Sequence, residues 1–401
     1  MTAVTQWQEE ANGFASAERA QGEEAAITKR PIKVVQLTSI HGPLDARIFH
    51  KHSKALAQAG YDVVIVAPKL SLTRDADEPR SGITIKTIPR ATSRLQRLRR
   101  TVWNVYRMAI AEDADIYHFH DPELIPVGLL LKLHGKRVIY DVHENLPLQV
   151  LTKPWISPVY RRAIGASAGK IERLGASCFD AIVAATQEIA DRFPANKTIT
   201  VQNFPDFVLR DQVPYRLRKL LVVYIGAISR IRGIDQMIDA IGKVPASLEA
   251  RLAIAGPFDS VSLERELRNI SLPNVDVLGF QTQIAVAELL GAARIGLVLL
   301  HPTPSYLNAQ PMKLFEYMRA GIPTIVSDFP AWRKIVEDTG CGLLVNPLDA
   351  EDIANAIRRL LENPTEAEEM GRRGREASMQ RFNWATEKSK LLQLYDRLAV
   401  R

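Results

Sequence analysis

The chain has 401 residues, of which 46% are hydrophobic and 24% are charged, and this usage is typical of globular proteins. The length predicts two or three domains, each able to bury its own core. Two cysteines, Cys178 and Cys341, are too few for a disulfide framework and lack metal-ligand spacing, so we expect a reducing, cytoplasmic environment. Because no apolar run reaches about 18 residues, we expect no membrane-spanning helix.

The net charge of +7 would suit nucleic acid, an anionic membrane or a phosphate-bearing substrate. Residues 1–30 are polar and lack an apolar segment, so they predict a disordered tail rather than a signal peptide. Basic and aromatic side chains cluster in 94–107 and again in 153–173, which favours a peripheral position at the inner face of the cytoplasmic membrane. The alternative is an ordinary solvated basic surface. Nucleic acid is not expected, because no recognition motif accompanies either cluster.

Apolar, β-branched stretches alternate with helical patterns along the whole chain. The strands predicted in the first half are Ile32–Leu37, Asp62–Ala67, Ile83–Ile88, Ile116–Phe119, Arg137–Asp141 and Ala181–Ala184. The helices predicted among them are His50–Ala59, Leu124–Leu133, Pro158–Ala176 and Gln187–Arg192. A second series of strands follows at Leu220–Ile225, Arg251–Ala255, Val275–Leu278, Ile295–Leu299, Thr324–Val326 and Gly342–Val345. This rhythm is typical of α/β proteins with doubly wound parallel sheets.

The two series predict a first Rossmann-like domain at 31–210 and a second at 215–382. A polar stretch punctuated by prolines, 203–214, is interpreted as the linker between them. Residues 383–401 predict a final helix, with Asn383 as its N-cap. Ligands of doubly wound folds lie beyond the carboxyl ends of the strands, so the residues there are the candidates for function.

Histidines follow several strands of the first domain. His118 and His120 lie at the end of one strand, where period-two alternation puts both on the same face. His143 closes the next strand, and His41 precedes Gly42 in the loop after the first strand. Gly42 permits close approach of the backbone to a ligand, and the following helix start offers N–H groups to a diphosphate. An isolated histidine is more often structural, but two polar strand ends facing one cleft favour binding.

A basic loop follows the first strand of the second domain. Gly226 and Gly233 frame it, and Arg230 and Arg232 lie between them. Arginine can pair with a diphosphate through two parallel hydrogen bonds, so this loop is a candidate phosphate site.

The most informative stretch is Gln310–Pro323, which a proline and a glycine delimit as a helix with one apolar face. The start of such a helix can hold a phosphate, while the carboxylate of Glu316 accepts hydrogen bonds from sugar hydroxyls. Lys313 is a further candidate near the phosphates. The alternative is a buried helix whose single glutamate is solvated.

Together these motifs resemble the retaining GT-B glycosyltransferases of glycosyltransferase family 4, over about residues 31–400. The resemblance implies two Rossmann-like domains facing a central cleft. It also implies a nucleotide-sugar donor and a saccharide or lipid-linked acceptor, as in bacterial surface polysaccharide synthesis. Neither a metal nor another cofactor is implied, because basic side chains and helix N-termini would stabilise the leaving diphosphate. The Asp-x-Asp pairs at 75–77 and 113–115 are similar to a metal-binding motif of the other glycosyltransferase fold, but each lies before a strand or in a loop of the first domain, so they are interpreted as coincidental.

The family pattern further implies roles for individual residues. His120 would face the reacting sugar and diphosphate, and Glu316 would hold the ribose hydroxyls; we take these two as the catalytic pair. His41 and His143 would lie on the acceptor side. Gly42 and Gly226 would approach the donor phosphates.

The sequence departs from the family pattern at three positions. Arg232 takes the place of the usual lysine before the second glycine of the basic loop. Ala227 stands where the family often has arginine, and Arg230 could compensate for it. Asn308 stands where the first of two family glutamates contacts the donor sugar, and an amide can still donate and accept hydrogen bonds there.

Two alternatives remain open. One is a nucleotide-sugar epimerase of the same fold, for which the sequence has no distinctive additional carboxylates. The other is a catalytically silent scaffold subunit, which the loss of a glutamate at Asn308 would favour. The presence of Glu316, Arg232 and His120 argues for an intact site.

Overall fold

The computed structural model describes residues 30–69, 82–151, 153, 156–206, 213–269, 272–307 and 309–400. Two parallel sheets with helices on their faces organise this part of the chain, which confirms the predicted α/β class and its two Rossmann-like sheets. The tail up to residue 29 and Asn308 lie outside the described residues.

The first sheet has seven parallel strands. They are β1 (Lys33–Leu37), β2 (Asp62–Pro68), β3 (Ile83–Ile88), β4 (Ile116–Phe119), β5 (Arg137–Val142), β6 (Ala181–Ala184) and β7 (Thr198–Thr200). Their order is β3-β2-β1-β4-β5-β6-β7, so the direction of winding reverses between β1 and β4. Gln36 pairs in register with His118, and the carboxyl ends of β1 and β4 therefore meet at the same edge. This is the switch point at which such sheets bind ligands.

The second sheet has six parallel strands. They are β8 (Leu221–Ile225), β9 (Arg251–Ala255), β10 (Val275–Gly279), β11 (Ile295–Val298), β12 (Thr324–Ser327) and β13 (Gly342–Val345). Their order is β10-β9-β8-β11-β12-β13, with the switch point between β8 and β11. Each strand predicted in either half is present with nearly the same bounds, whereas β7, only three residues long, was not predicted.

Helices cover both sheets. The helical segments of the first half are Ile48–Ser53, Lys54–Gln58, Arg94–Gln96, Arg97–Thr101, Val102–Ala111, Pro122–Leu124, Ile125–Leu133, Leu146–Leu151, Pro158–Ser177, Gln187–Ala190 and Ala195–Lys197. Those of the second half are Tyr215–Leu217, Arg230–Arg232, Ile234–Lys243, Ala246–Leu248, Val261–Arg268, Gln283–Ala292, Pro304–Leu307, Met312–Arg319, Pro330–Thr339, Ala350–Glu362, Pro364–Gln380 and Trp384–Ala399. The basic segment 94–107 is helical throughout, as predicted.

The final helix, Trp384–Ala399, returns to the first domain. Trp384, Leu391 and Tyr395 are buried in the same core cluster as Phe49, a residue of the helical segment after β1. Asn383 caps the helix through a hydrogen bond from the backbone N–H of Thr386 to its side-chain oxygen. This helix therefore covers one face of the first sheet with residues from the far end of the chain.

Candidate active site

A cavity of about 500 Å³ lies between the two domains where the strands end. His41 and His143, which follow β1 and β5, belong to its first-domain wall. Tyr306, Gln310 and Met312 belong to its second-domain wall. A cleft thus lies where the sequence predicted one.

The loop after β1 is fastened to the end of β4 by hydrogen bonds to Asp121. Thr38 Oγ1 and the backbone N–H of Ser39 each donate to Asp121 Oδ2 over 2.7 Å. His41 Nδ1 then lies 3.2 Å from Asp45 Oδ2, and its Nε2 lies 3.6 Å from Asp121 Oδ1. Burial opposes protonation, yet these carboxylates raise the pKa of His41. The cavity wall therefore carries a histidine that the fold favours in its cationic form.

A buried ion pair supports this wall from behind. Arg47 Nε and Nη2 donate to the two oxygens of Asp141 over 2.9 and 2.8 Å, and Nη1 donates to the Val201 carbonyl over 2.8 Å. Asp141 has no exposed surface and Arg47 is 5% exposed. Burial opposes ionisation of Asp141, but Arg47 and the surrounding histidines hold its pKa well below the usual value. The pair is therefore ionised in the core of the first domain.

Four histidines surround this carboxylate: His52, His118, His120 and His143. The rings of His118 and His120 stack with centroids 4.7 Å apart, which confirms the prediction that β4 places them on one face. His120 Nδ1 lies 3.1 Å and His143 Nε2 lies 3.4 Å from Asp141 Oδ2. Burial lowers the pKa of His52, His118 and His120, so these three rings are neutral at pH 7.

His120 lies behind the cavity wall rather than in it. It is 2% exposed, its Nε2 lies 2.7 Å from Gln36 Oε1, and its Nδ1 lies 3.2 Å from His143 Nε2. His143, whose side chain is 19% exposed, is the member of the cluster that reaches the cavity. Direct contact of His120 with the reacting sugar, as predicted, is not supported by this geometry, because neighbouring side chains occupy both of its nitrogens. His120 contacts the cleft through His143.

The cluster also contains two groups of potential metal ligands, each with donor atoms within 4.8 Å of one another. The groups are His52, His118 and Asp141, and His120, Asp141 and His143. Both depend on Asp141, whose oxygens are already hydrogen-bonded to the guanidinium of Arg47. A dication would have to lie beside that fixed positive charge, so these residues fit a metal ion poorly.

In the second domain, two glycines bring the ends of β8 and β9 into close contact. Gly226 donates its N–H to the Ala255 carbonyl over 2.9 Å. Gly256 has φ +147°, and a Cβ there would lie only 1.7 Å from the Gly226 carbonyl oxygen, so the approach requires glycine. A Cβ on Gly226 would lie 3.8 Å from Lys313 Cε. The loop after β8 therefore lies next to helix Met312–Arg319.

The two arginines of the predicted phosphate loop differ in their surroundings. The Arg232 guanidinium lies 5.9 Å from the ring centroid of Tyr306, a residue of the cavity wall. Arg230 instead donates to Asp235 over 2.6 Å and to Glu266 over 2.7 Å on the exposed surface. Because two carboxylates already neutralise it there, the geometry does not support the predicted contact of Arg230 with the donor.

Helix Met312–Arg319 has the predicted form. Leu314 is fully buried, and Gly321 ends the helix with φ +67°. Lys313 and Glu316 lie on its partly exposed side, where Lys313 Nζ donates to Glu316 Oε2 over 2.7 Å. The carboxylate thus has one partner already, a lysine that an anionic ligand could attract away.

Lys51 of the first domain contributes charge to the same region. Its Nζ donates to the carbonyl of Asn203 over 2.9 Å. Burial and the nearby charge of Arg47 lower the pKa of Lys51 to about 7, against the opposing influence of Glu316. The charge of this lysine therefore changes near neutral pH.

Of the predicted residues, His41 and His143 line the cavity, and Arg232 lies beside its wall residue Tyr306. Gly226 lies near Lys313, which pairs with Glu316 on the helix that begins at the wall residue Met312. Gly42 lies in a turn of the loop after β1, where its carbonyl oxygen accepts a hydrogen bond from the backbone N–H of Asp45 over 3.2 Å. Sequence reasoning missed Arg47, Lys51 and Asp141. Asp141 could have been found, because a charge within an otherwise apolar strand requires a buried partner. No local sequence pattern, however, identifies which basic residue is the partner of Asp141.

Three neighbouring helical stretches on the first domain form what we call the basic apolar face. They are 94–111, Ile125–Leu133 and Pro158–Ser177, each in contact with the next. Its exposed apolar residues are Leu95, Leu98, Trp103, Leu130, Leu133, Val159, Tyr160, Ile164, Ile171 and Leu174. Leu95, Leu98 and Trp103 are 59%, 55% and 55% exposed, so more than half of each side chain is not packed against the first domain. Within the described ranges, no helix combines the length and apolarity needed to cross a bilayer.

Sequence models of two protein families match the chain. The model described as Glycosyltransferase Family 4 matches residues 46–201, and the one described as Glycosyl transferases group 1 matches residues 208–377. The chain is also similar to a phosphatidyl-myo-inositol mannosyltransferase of Mycobacterium leprae, with 24% identity over 86% of this chain and 88% of that protein.

Solved structures show the same architecture. A sucrose-phosphate synthase from Thermosynechococcus elongatus has a TM-score of 0.70 at 21% identity, covering 92% of this chain and 99% of its own. Anabaena HepE, solved in complex with UDP and glucose, has a TM-score of 0.69 at 16% identity, covering 91% and 100%. These likenesses confirm the predicted GT-B fold.

Proposed function

Because this chain belongs to the family 4, group 1 glycosyltransferases of GT-B fold, we propose that it transfers a sugar from a nucleotide-sugar donor to a saccharide or lipid-linked saccharide. The reaction retains the anomeric configuration, needs neither metal nor another cofactor, and serves bacterial surface polysaccharide synthesis. The single observation that carries this proposal is the group of Gly226, Lys313 and Glu316 on and beside the helix that begins at the cavity residue Met312, with Arg232 next to the cavity residue Tyr306.

The donor diphosphate binds at the start of helix Met312–Arg319 in this proposal. Its leaving group gains negative charge as the glycosidic bond breaks. That charge is stabilised by Arg232, Lys313 and the backbone N–H groups of the helix. In other enzymes a metal ion plays this role. The position of Gly226 supports the proposal, because a Cβ there would lie only 3.8 Å from Lys313 Cε, so its backbone is next to the lysine assigned to the phosphates.

The nucleoside ribose binds to Glu316. In the free protein Lys313 neutralises this carboxylate over 2.7 Å. The donor phosphates attract Lys313, and the ribose hydroxyls then donate to Glu316 in its place. The exchange keeps both charges partnered before and after binding, which avoids an unpaired charge in a half-buried site.

The acceptor occupies the first-domain wall, near His41 and His143. Its hydroxyl attacks the anomeric carbon from the face that the leaving group vacates, and the departing phosphate oxygen takes the proton. The elevated pKa of His41 supports a cationic donor of hydrogen bonds to the acceptor or the phosphates. His120 acts from behind the wall through its contact with His143.

Substitution of Arg232 by alanine tests the donor site. We expect Arg232→Ala to reduce kcat about 100-fold, because one charge-stabilising donor is lost in the transition state. Arg230→Ala is the matched control, since this neighbour is bound to Asp235 and Glu266 and should keep nearly parental activity. Transfer from nucleotide sugars is measured for both, with melting curves to verify folding. Equal losses in the two variants would contradict the proposed donor site.

We further propose that the basic apolar face rests on an anionic membrane and so brings the cleft to a lipid-linked acceptor. Apolar and basic side chains are exposed together there, as expected of an interfacial surface. Because the face belongs to the first domain, it lies on the acceptor side of the proposed site.

Vesicle sedimentation tests the membrane contact. Arg99, Arg100 and Arg107 are exposed on this face, and each basic residue contributes about 1 kcal/mol near an anionic surface. Changing all three to serine should therefore weaken binding to anionic vesicles roughly 100-fold, whereas neutral vesicles should not bind either protein. The control changes Arg358, Arg359 and Arg372 of the second domain to serine, with the same loss of charge. If both triple variants sediment like the parent, the face is an ordinary surface.

A further inference from the structure

We propose that Tyr395 and Gln36 are positioning residues that fix the orientation and proton arrangement of His120 and, through it, of His143 in the cleft. The final helix of the chain would then help to set up the active site from behind the first sheet. The kinetic consequence rests on the proposed function, whereas the effect on His143 does not.

A continuous set of contacts connects the final helix to the cleft. Gln36 Nε2 donates to the Tyr395 hydroxyl over 3.1 Å, and Gln36 Oε1 lies 2.7 Å from His120 Nε2. His120 Nδ1 lies 3.2 Å from His143 Nε2, and His143 lines the cavity. Three consecutive contacts thus connect residue 395 with the cavity wall.

The two ends of the Gln36 amide are not equivalent. The end of the amide that faces His120 decides where the ring carries its hydrogen, because Oε1 accepts a hydrogen from Nε2 whereas an amide N–H would donate to a bare Nε2. On the other side of the ring, His120 Nδ1 lies 3.1 Å from Asp141 Oδ2 and 3.2 Å from His143 Nε2. The Gln36 orientation therefore governs the tautomer of His120 and, through these shared contacts, the hydrogen arrangement of His143.

Tyr395 is what fixes that orientation. Its hydroxyl accepts from Gln36 and lies 2.7 Å from His118 Nδ1, so it donates there while accepting from the amide. Burial raises the pKa of Tyr395 well above the usual value, so the hydroxyl keeps its hydrogen. Gln36, His118 and Tyr395 have no exposed surface, and water is not available to replace a lost partner.

Docking of the final helix does not depend on this hydroxyl. Trp384, Leu391 and Leu394 are buried against the first domain, and Trp384 stacks on His52 with ring centroids 5.8 Å apart. A second tyrosine, Tyr61, also holds the helix, by donating to Asp396 over 2.8 Å. The Tyr395 hydroxyl can therefore be removed without releasing the helix.

The test compares Tyr395→Phe and Gln36→Met with Tyr61→Phe. Tyr61→Phe removes a tyrosine hydroxyl that joins the same helix to the same domain through Asp396 and, among the residues that the structure describes, is hydrogen-bonded to no histidine, so it controls for helix docking. The ring nitrogen chemical shifts of the 8 histidines, which report the tautomer of each ring, are measured by NMR, and His143→Gln identifies the signals of His143. Other charged groups around the cluster are unchanged in every variant: Arg47, Asp121, Asp141, Glu144, His41 and His52.

We expect Tyr395→Phe and Gln36→Met to change the ring nitrogen chemical shifts of His143, and Tyr61→Phe to leave them unchanged. In transfer assays the first two should lower kcat about tenfold and displace its pH profile, with little change in donor KM. Unchanged ring nitrogen shifts of His143 in both variants would overturn the inference, whether or not transfer is observed. An equal change of these shifts in Tyr61→Phe would also overturn it, because the effect would then come from helix docking.

Discussion

Replacing Glu316 by alanine should weaken nucleotide binding by about 1.5–3 kcal/mol, or roughly 10- to 150-fold, and reduce transfer at least as much. The reason is the loss of a charged acceptor for two ribose hydroxyls. The domain should remain folded, because the side chain is 24% exposed and its partner, Lys313, is on the same helix. Calorimetric titration with nucleoside diphosphates measures the loss directly.

A matched control separates this effect from a general change of charge. Glu337 belongs to helix Pro330–Thr339, is 60% exposed at its side chain and pairs with Arg333 over 3.6 Å. Glu337→Ala should bind nucleotide like the parent. If Glu316→Ala also binds like the parent, the carboxylate does not hold the ribose.

Breaking the buried ion pair should have the largest effect on stability. Arg47→Met removes the partner that donates to both oxygens of Asp141, so a carboxylate remains buried without its main counter-charge. We expect the free energy of unfolding to fall by about 3–5 kcal/mol. Denaturant titration measures it. Arg251→Met is the control, because Arg251 makes the same bidentate hydrogen bonds to Asp276 on the surface. There the loss of unfolding free energy should stay below about 1 kcal/mol.

The pH dependence follows from the sign of the pKa shift. The folded protein holds the pKa of Asp141 well below the usual value, so it binds fewer protons at this site than the unfolded chain does. The stabilisation is therefore complete above about pH 4 and is lost as the pH falls through the folded pKa. A double variant, Arg47→Met with Asp141→Leu, should lack this dependence. If parent and double variant lose stability in parallel in acid, the ion pair does not have the proposed energetic role.

The sheets and the donor side were predictable because their signals are local. Strand bounds follow from short apolar runs between turn residues, which is why β8 to β13 agree with the prediction. The motif Gln310–Pro323 contains its own apolar face, its stop at Gly321 and its charged pair within one helix. Neighbours in sequence are neighbours in space there, so spacing alone reports geometry.

The acceptor side could be predicted only in part, because distant residues build it. Alternation in β4 placed His118 and His120 on one face, but not what covers that face. Tyr395, which covers that face, lies 277 residues after His118 in the sequence, and Arg47 lies 94 residues before its partner Asp141. For the same reason Arg230 could not be distinguished from Arg232, since the carboxylate of Glu266 lies 36 residues beyond it.

The most direct test of the central claim is product analysis with the purified protein. It is incubated with UDP-, GDP- and ADP-sugars and a saccharide or lipid-linked saccharide acceptor, in the presence of EDTA, and NMR reads the anomeric configuration of the product. We predict that at least one donor supports transfer, that the product keeps the donor's configuration, and that EDTA does not change the rate. An inverted product or loss of transfer on chelation would contradict the mechanism. Epimerised donor in the absence of acceptor, or neither transfer nor donor hydrolysis, would contradict the function itself.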